Sequence, residues 1–168
     1  HIGSQLTQIA PFVAALQRLL ALVKQLEAQG IALHHLDLGG GLGIRYRDEE
    51  PPLPAVQAAA LLEQLRAAPY EILIEPGRAI VGNAGILVSR VIYVKHGDAR
   101  NFVIIDAAMN DLIRPTLYEA YHQIMPVRAA APETPVLVAD VVGPVCETGD
   151  YLALGRNLPE PKEGDLLA

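Results

Sequence analysis

Cysteine is nearly absent from this sequence: Cys146 is the only one in 168 residues. One thiol closes no internal disulfide, so the chain is not a cross-linked secreted scaffold. A reducing cytoplasmic setting fits, and a thiol used for chemistry becomes worth testing. No apolar run reaches the roughly 18 residues that a membrane-spanning helix needs, so no membrane partner is expected. Positive charge is outnumbered, with 13 Lys and Arg against 19 Asp and Glu and a net charge of −6. Nonspecific binding to nucleic acid or to an anionic membrane surface is therefore not expected. No Cys/His grouping has zinc-site spacing, so no metal is expected. No signal peptide is visible. An initiating Met is also missing, and the chain closes on an apolar run, Leu166-Leu167-Ala168. These ends read as those of an internal fragment.

What is present is a globular composition, 51% hydrophobic and 19% charged. Residues 7–30 form the clearest helix. Ile9, Phe12, Val13, Leu16, Leu19, Leu20, Val23 and Leu26 recur at steps of three and four and give one apolar face. Thr7 is the expected N-cap and Gly30 the expected stop. A strand is predicted over 33–38, a second helix over 54–68 behind a proline-marked loop, and a second strand over 71–75. Alternating helices and short apolar strands imply parallel pairing through helical crossovers. After about Gly85 the pattern becomes β-rich. Strands are predicted over 86–95, 102–106, 136–142 and 151–154, with a hairpin turn at 96–99, and antiparallel pairing is expected. The expected organisation is an α/β part over 1–84 and a β domain over 85–168, with the boundary near 82–85.

Three segments at strand ends carry chemical interest. Gly39-Gly40-Gly41-Leu42-Gly43 presents bare backbone, which suits an anion as well as it suits a simple turn. The absence of a helix directly after it disfavours a dinucleotide fold. Glu75-Pro76-Gly77-Arg78 places a carboxylate and a guanidinium within four residues, and it reads either as an anion clamp or as a salt-bridged turn. Gly143-Pro144-Val145-Cys146-Glu147-Thr148-Gly149-Asp150 puts the lone thiol beside a carboxylate. Taken by itself, Cys146 reads as a buried, inert thiol. His96 reads as a turn residue, the acidic run 48–50 as a solvated loop, and at least one of His34 and His35 as packing or surface.

Together with the opening His1-Ile2-Gly3-Ser4-Gln5, these motifs stand in the order and at about the spacing of the fold-type III pyridoxal-phosphate (PLP) dependent decarboxylases, which the sequence resembles over nearly its whole length. Within that family the chain is most similar to the branch acting on diaminopimelate. Glu147 stands where the ornithine branch typically has aspartate, and the segment from Asn110 to Tyr118 also resembles the diaminopimelate branch.

The resemblance implies the C-terminal part of a PLP-binding (β/α)8 barrel, alanine racemase-like, followed by part of an antiparallel β domain. It implies decarboxylation of meso-2,6-diaminopimelate to L-lysine by the parent enzyme, a homodimer with an active site shared across the interface. His1, Ser4, Gly41, Glu75, Pro76, Gly77 and Arg78 would hold the cofactor. Cys146 would be the catalytic proton donor, and Arg78, Arg114, Tyr118 and Glu147 would bind the substrate. A doubly zwitterionic amino acid needs guanidinium groups for its remote carboxylate and a carboxylate for its remote ammonium, so these residue types fit. Decarboxylases of the same fold acting on ornithine, arginine or carboxynorspermidine are the alternative, as is a non-catalytic regulator. The lysine that anchors the cofactor in this family has no counterpart in Lys24, Lys95 or Lys162, so the fragment alone is expected to be inactive.

Overall fold

A computed structural model describes residues 1–66 and 69–168. The chain divides into two compact units, His1–Gly85 and Ile86–Ala168.

In the first unit, helix α1 (Ala10–Ala28) buries Phe12, Leu16 and Val23 on the face that the sequence periodicity predicts. It starts later than expected. Ile9 rather than Thr7 occupies the cap position and makes no side-chain cap, while proline in the first turn needs no donor there. Gly30 ends the helix at φ +81°, with the Gly30 and Ile31 N–H groups donating to the carbonyls of Glu27 (2.9 Å) and Leu26 (3.1 Å). Strand β1 (His35–Asp37) pairs in parallel with β2 (Glu71–Leu73), Leu36 opposite Ile72. The strands are shorter than predicted, yet their ladder runs on into the loops. Leu38 N–H donates to Leu73 O and Glu75 N–H to Gly39 O, both at 3.0 Å. Helix α2 (Pro54–Gln64) lies between them in sequence; the last two residues of its predicted span, 67 and 68, lie outside the described residues. A short helix α3 (Gly77–Val81), which the sequence reading missed, follows β2. Phe12, Leu16, Leu42, Leu61 and Leu65 form the core of this unit.

The second unit is a five-stranded sheet in the order β6-β5-β4-β3-β7. Its strands are β3 (Ser89–Lys95), β4 (Asn101–Ile105), β5 (Val136–Val142), β6 (Tyr151–Pro159) and β7 (Leu166–Leu167). The expected β3–β4 hairpin is present and antiparallel. The β4–β5 pair corrects the expectation, because it is parallel. Parallel neighbours need a crossover, and residues 106–135, which contain helix α4 (Arg114–Tyr118), supply it. Strand β6 runs five residues beyond its predicted end. Gly155 sits within the strand at φ +55°, its N–H donating to the buried carboxylate of Asp140 at 2.6 Å. Val91, Val103, Ile105, Leu137, Val141 and Leu158 lead a core of eleven buried residues.

Candidate active site

At the carboxyl ends of β1 and β2 three loops meet, and lack of space dictates their glycines. A Cβ on Gly40 would run into the carbonyl of Glu75, and one on Gly41 into the carbonyl of Gly3. A Cβ on Gly39 would lie 2.9 Å from the Cα of His1. Gly39 and Gly41 also adopt φ values of +70° and +109°, which side chains resist. The opening loop is stitched on by Leu6 N–H to Gly41 O (2.8 Å) and Gly43 N–H to Leu6 O (3.0 Å). His1, the loop bearing Ser4, Gly41 and the Glu75–Arg78 turn are thus brought together, as the motifs predict. Pro76 precedes α3, and Gly77 N–H donates to Glu75 O at 2.8 Å. Beyond Gly77 a Cβ would meet nothing within 4 Å.

Gln5 is the residue that the sequence reading left without a role here. It is held at φ +58°, a costly region for a side-chain-bearing residue. Its amide closes on the Ile44 peptide from both sides, Nε2 donating to the carbonyl (2.6 Å) and Oε1 accepting the N–H (3.2 Å). The same Oε1 accepts from Arg78 Nη1 at 3.1 Å, and the guanidinium lies 5.7 Å from the Tyr46 ring centroid. Arg78 is therefore oriented by an amide and a ring, and the salt-bridged-turn reading does not describe its contacts. Only the position of Gln5 in the motif hinted at this.

In the second unit, α4 carries Arg114 at its start and an exposed Tyr118 at its end, where Glu119 turns left-handed at φ +52°. Arg114 Nη1 lies 2.9 Å from His122 Nε2. Arginine only donates, so that imidazole nitrogen accepts. The loop at 143–150 leaves Cys146 exposed, which corrects the buried-thiol reading. The loop is too tight to fold its tip inward: Glu147 N–H donates to Val145 O at 2.9 Å and Asp150 N–H to Glu147 O at 3.0 Å. The Thr148 hydroxyl and the Gly149 N–H both donate to the Glu147 carboxylate and hold its pKa below the usual carboxylate value. Glu147 is thus a fixed anion at neutral pH. The loop is tied to α4, since the Thr116 hydroxyl donates to the carbonyl of Gly149. Arg114, Tyr118, Cys146 and Glu147 therefore occupy two segments joined within one unit, whereas Arg78 and the cofactor-motif residues lie in the other unit.

The lysines sit elsewhere. Lys24 lies on α1, Lys95 at the end of β3 and Lys162 in the turn before β7, each exposed. His34 and His35 are exposed, and His35 pairs with Glu71 at 3.0 Å. His96, in the loop after β3, pairs with Glu160 at 3.4 Å.

Residues 12–168 match the family model described as pyridoxal-dependent decarboxylase, C-terminal sheet domain. The chain belongs to this family. It is 55% identical over its whole length to diaminopimelate decarboxylase of Pseudomonas aeruginosa and 56% identical to that of Vibrio cholerae, covering 40% of each relative. Among solved structures it superposes on diaminopimelate decarboxylase from Helicobacter pylori complexed with L-lysine, with a TM-score of 0.91 and 40% identity over 99% of this chain and 41% of that one. The chain spans about two fifths of the length of the curated relatives it matches.

The residues present fit the cofactor that the family name implies. A phosphate calls for backbone N–H groups at close approach, a hydroxyl and a fixed cation. Gly41, the backbone of 75–78, Ser4 and the oriented Arg78 would supply such a set, and the open space at Gly77 leaves room beside them. Glu75 adds a carboxylate suited to a protonated ring nitrogen.

Proposed function

We propose that this chain serves a PLP-dependent decarboxylase converting meso-2,6-diaminopimelate to L-lysine and CO2. In this reading residues 1–84 belong to a (β/α)8 barrel and 85–168 to its β domain. The enzyme is a cytoplasmic homodimer, and Cys146 reaches the partner's active site. What supports the reading is the residue set: an ionised Glu147 beside the exposed Cys146 on one loop, and Arg114 with Tyr118 on α4, the anion and the cation that a site shared between two subunits needs. One fixed anion and one fixed cation match the two charges at the far end of a doubly zwitterionic substrate. An ornithine site has no use for the cation.

Bound pyridoxal phosphate supplies the electron sink that cleavage of the carbon–carboxylate bond requires. The chain's own residues do the rest. Glu75 would favour a proton on the ring nitrogen by its charge, the backbone of Gly41 and of 75–78 with Ser4 would fix the phosphate, and His1 would stack on the ring. Arg114, with Tyr118 on the same short helix, takes the distal carboxylate, joined by Arg78, and Glu147 takes the distal ammonium. When CO2 leaves, Cys146 delivers its Sγ proton to the carbon that carried the carboxylate, and stays as thiolate until solvent reprotonates it. Removing either distal charge from a ligand leaves a site ion unpaired, which penalises shorter or singly charged substrates.

The test is the full-length protein assayed on meso-diaminopimelate, ornithine, arginine and carboxynorspermidine, with cofactor absorbance recorded. Turnover confined to meso-diaminopimelate supports the proposal. Preference for a substrate lacking the distal carboxylate overturns it, and cofactor-free, inactive protein favours the regulator.

A further inference from the structure

We infer that Asp150 and Thr116 are positioning residues that latch the loop bearing Cys146 and Glu147 to the crossover segment bearing Arg114 and Tyr118. The consequence for turnover rests on the decarboxylase reading; the geometry does not.

Asp150 is 4% exposed, which is costly for a carboxylate unless its oxygens are satisfied. Each oxygen accepts one backbone N–H from a different segment: Oδ1 from Met109 at 2.7 Å, in the crossover, and Oδ2 from Val145 at 2.7 Å, in the thiol loop. These are short, charge-assisted bonds. Thr116 makes the second tie from inside α4, donating to the Gly149 carbonyl, with the Tyr151 carbonyl 3.4 Å away.

The latch also explains both glycines of the loop. A Cβ on Gly143 would overlap the Asp150 carboxylate, and one on Gly149 would lie 2.9 Å from Thr116 Cγ2. Without these ties residues 144–148, all exposed, have little packing to order them. A thiol that must present a proton and an anion that must meet a remote ammonium need a fixed loop.

The experiment uses full-length, cofactor-loaded enzyme with Asp150→Asn, Thr116→Val and Thr116→Ser. Hydrogen exchange is followed in peptides covering 107–118 and 143–150, with 101–105 and 137–142 as core controls. Asparagine must turn an NH2 toward one of two N–H donors, so one tie is lost. Loss of a charge-assisted bond predicts about tenfold or greater acceleration of exchange. In Asp150→Asn it is expected in whichever of the crossover and the loop faces the NH2 group, the core peptides unchanged. Thr116→Val accelerates exchange across 143–150, and Thr116→Ser restores it. The kcat on meso-diaminopimelate falls at least tenfold in Asp150→Asn while cofactor absorbance persists. Unchanged exchange in both segments, acceleration spread to the core peptides, or failure of serine to restore the loop overturns the latch. An unsubstituted enzyme with no decarboxylase activity overturns the functional reading alone, because the exchange measurements do not depend on it.

Discussion

The two units hold their functional loops by opposite means. In the first, backbone packs on backbone, and glycines at 39–41 exist because carbonyls and a neighbouring chain segment occupy the Cβ positions. In the second, side chains reach backbone: Asp150 and Thr116 span between segments, and the glycines make room for them. The cores differ as well. Among the described residues, the main buried cluster of the first unit holds five and that of the second eleven. Strand β2 and its exit leave Leu73 and Ile74 43% and 56% exposed, while the sheet seals Val103 and Val141 completely. A backbone-packed loop tolerates almost no substitution, even where side chains such as Asp37 and Gln5 also hold its backbone. A side-chain-built loop can be loosened one bond at a time.

The contrast breaks most visibly at the thiol. Cys146→Ser in the full-length enzyme is expected to lower kcat by about 10²- to 10⁴-fold, the usual worth of a positioned proton donor. The unfolding midpoint should not move, because Cys146 is exposed. Full activity with serine would remove the proton-donor role. Next comes the sheet core. Leu158→Ala, at 1% exposure, should cost about 2–5 kcal/mol in denaturant unfolding, whereas Leu73→Ala should stay within about 0.5 kcal/mol. Equal costs would mean that exposure does not set the cost at these two positions.

A third pair sharpens the glycine contrast. Gly40→Ala must displace the Glu75 carbonyl and should destabilise the first unit by about 1–3 kcal/mol. Gly77→Ala meets open space and should leave stability unchanged, so a fall in cofactor affinity for that variant, read by absorbance titration, would place the phosphate beside it.

The smallest effect is one of pH. The Ser89 hydroxyl and then the Arg90 N–H donate to Asp106 and hold its pKa below the usual aspartate value. A depressed carboxylate stabilises the fold above its unfolded pKa, about 3.9, and that contribution disappears as pH falls through the lower folded value. Ser89→Ala should therefore narrow the loss of urea midpoint between about pH 5 and pH 2. A parallel offset of the two curves would exclude this linkage.

Sequence alone delivered the elements whose signal is local. The face of α1, the stop at Gly30 and the β3–β4 hairpin each follow from spacing or turn chemistry within a few residues. Strand direction is not local, and nothing in 136–142 says that β5 runs parallel to β4; only the length of the crossover does. The predicted end of β6 at 154 fell short for a related reason, since Gly155 N–H is bonded by Asp140 from the next strand. Cys146 was read as buried because buried, inert thiols are the commoner case; its exposure follows from how tightly its loop turns. The motifs named the residues now gathered at the ends of β1 and β2, but not Gln5, whose work lies in contacts with Ile44 and Arg78 far along the chain.

The parallel pairing of β4 with β5 has an evolutionary corollary. The sheet fixes where its long connection starts and where it returns, and Ala107, Leu112 and Ile124 pin parts of that connection to the core. Arg114 and Tyr118 ride on that connection. If the proposed reading holds, a lineage rewrites which amino acid it accepts by editing this connection together with the 143–150 loop tied to it, while the strands are inherited unaltered.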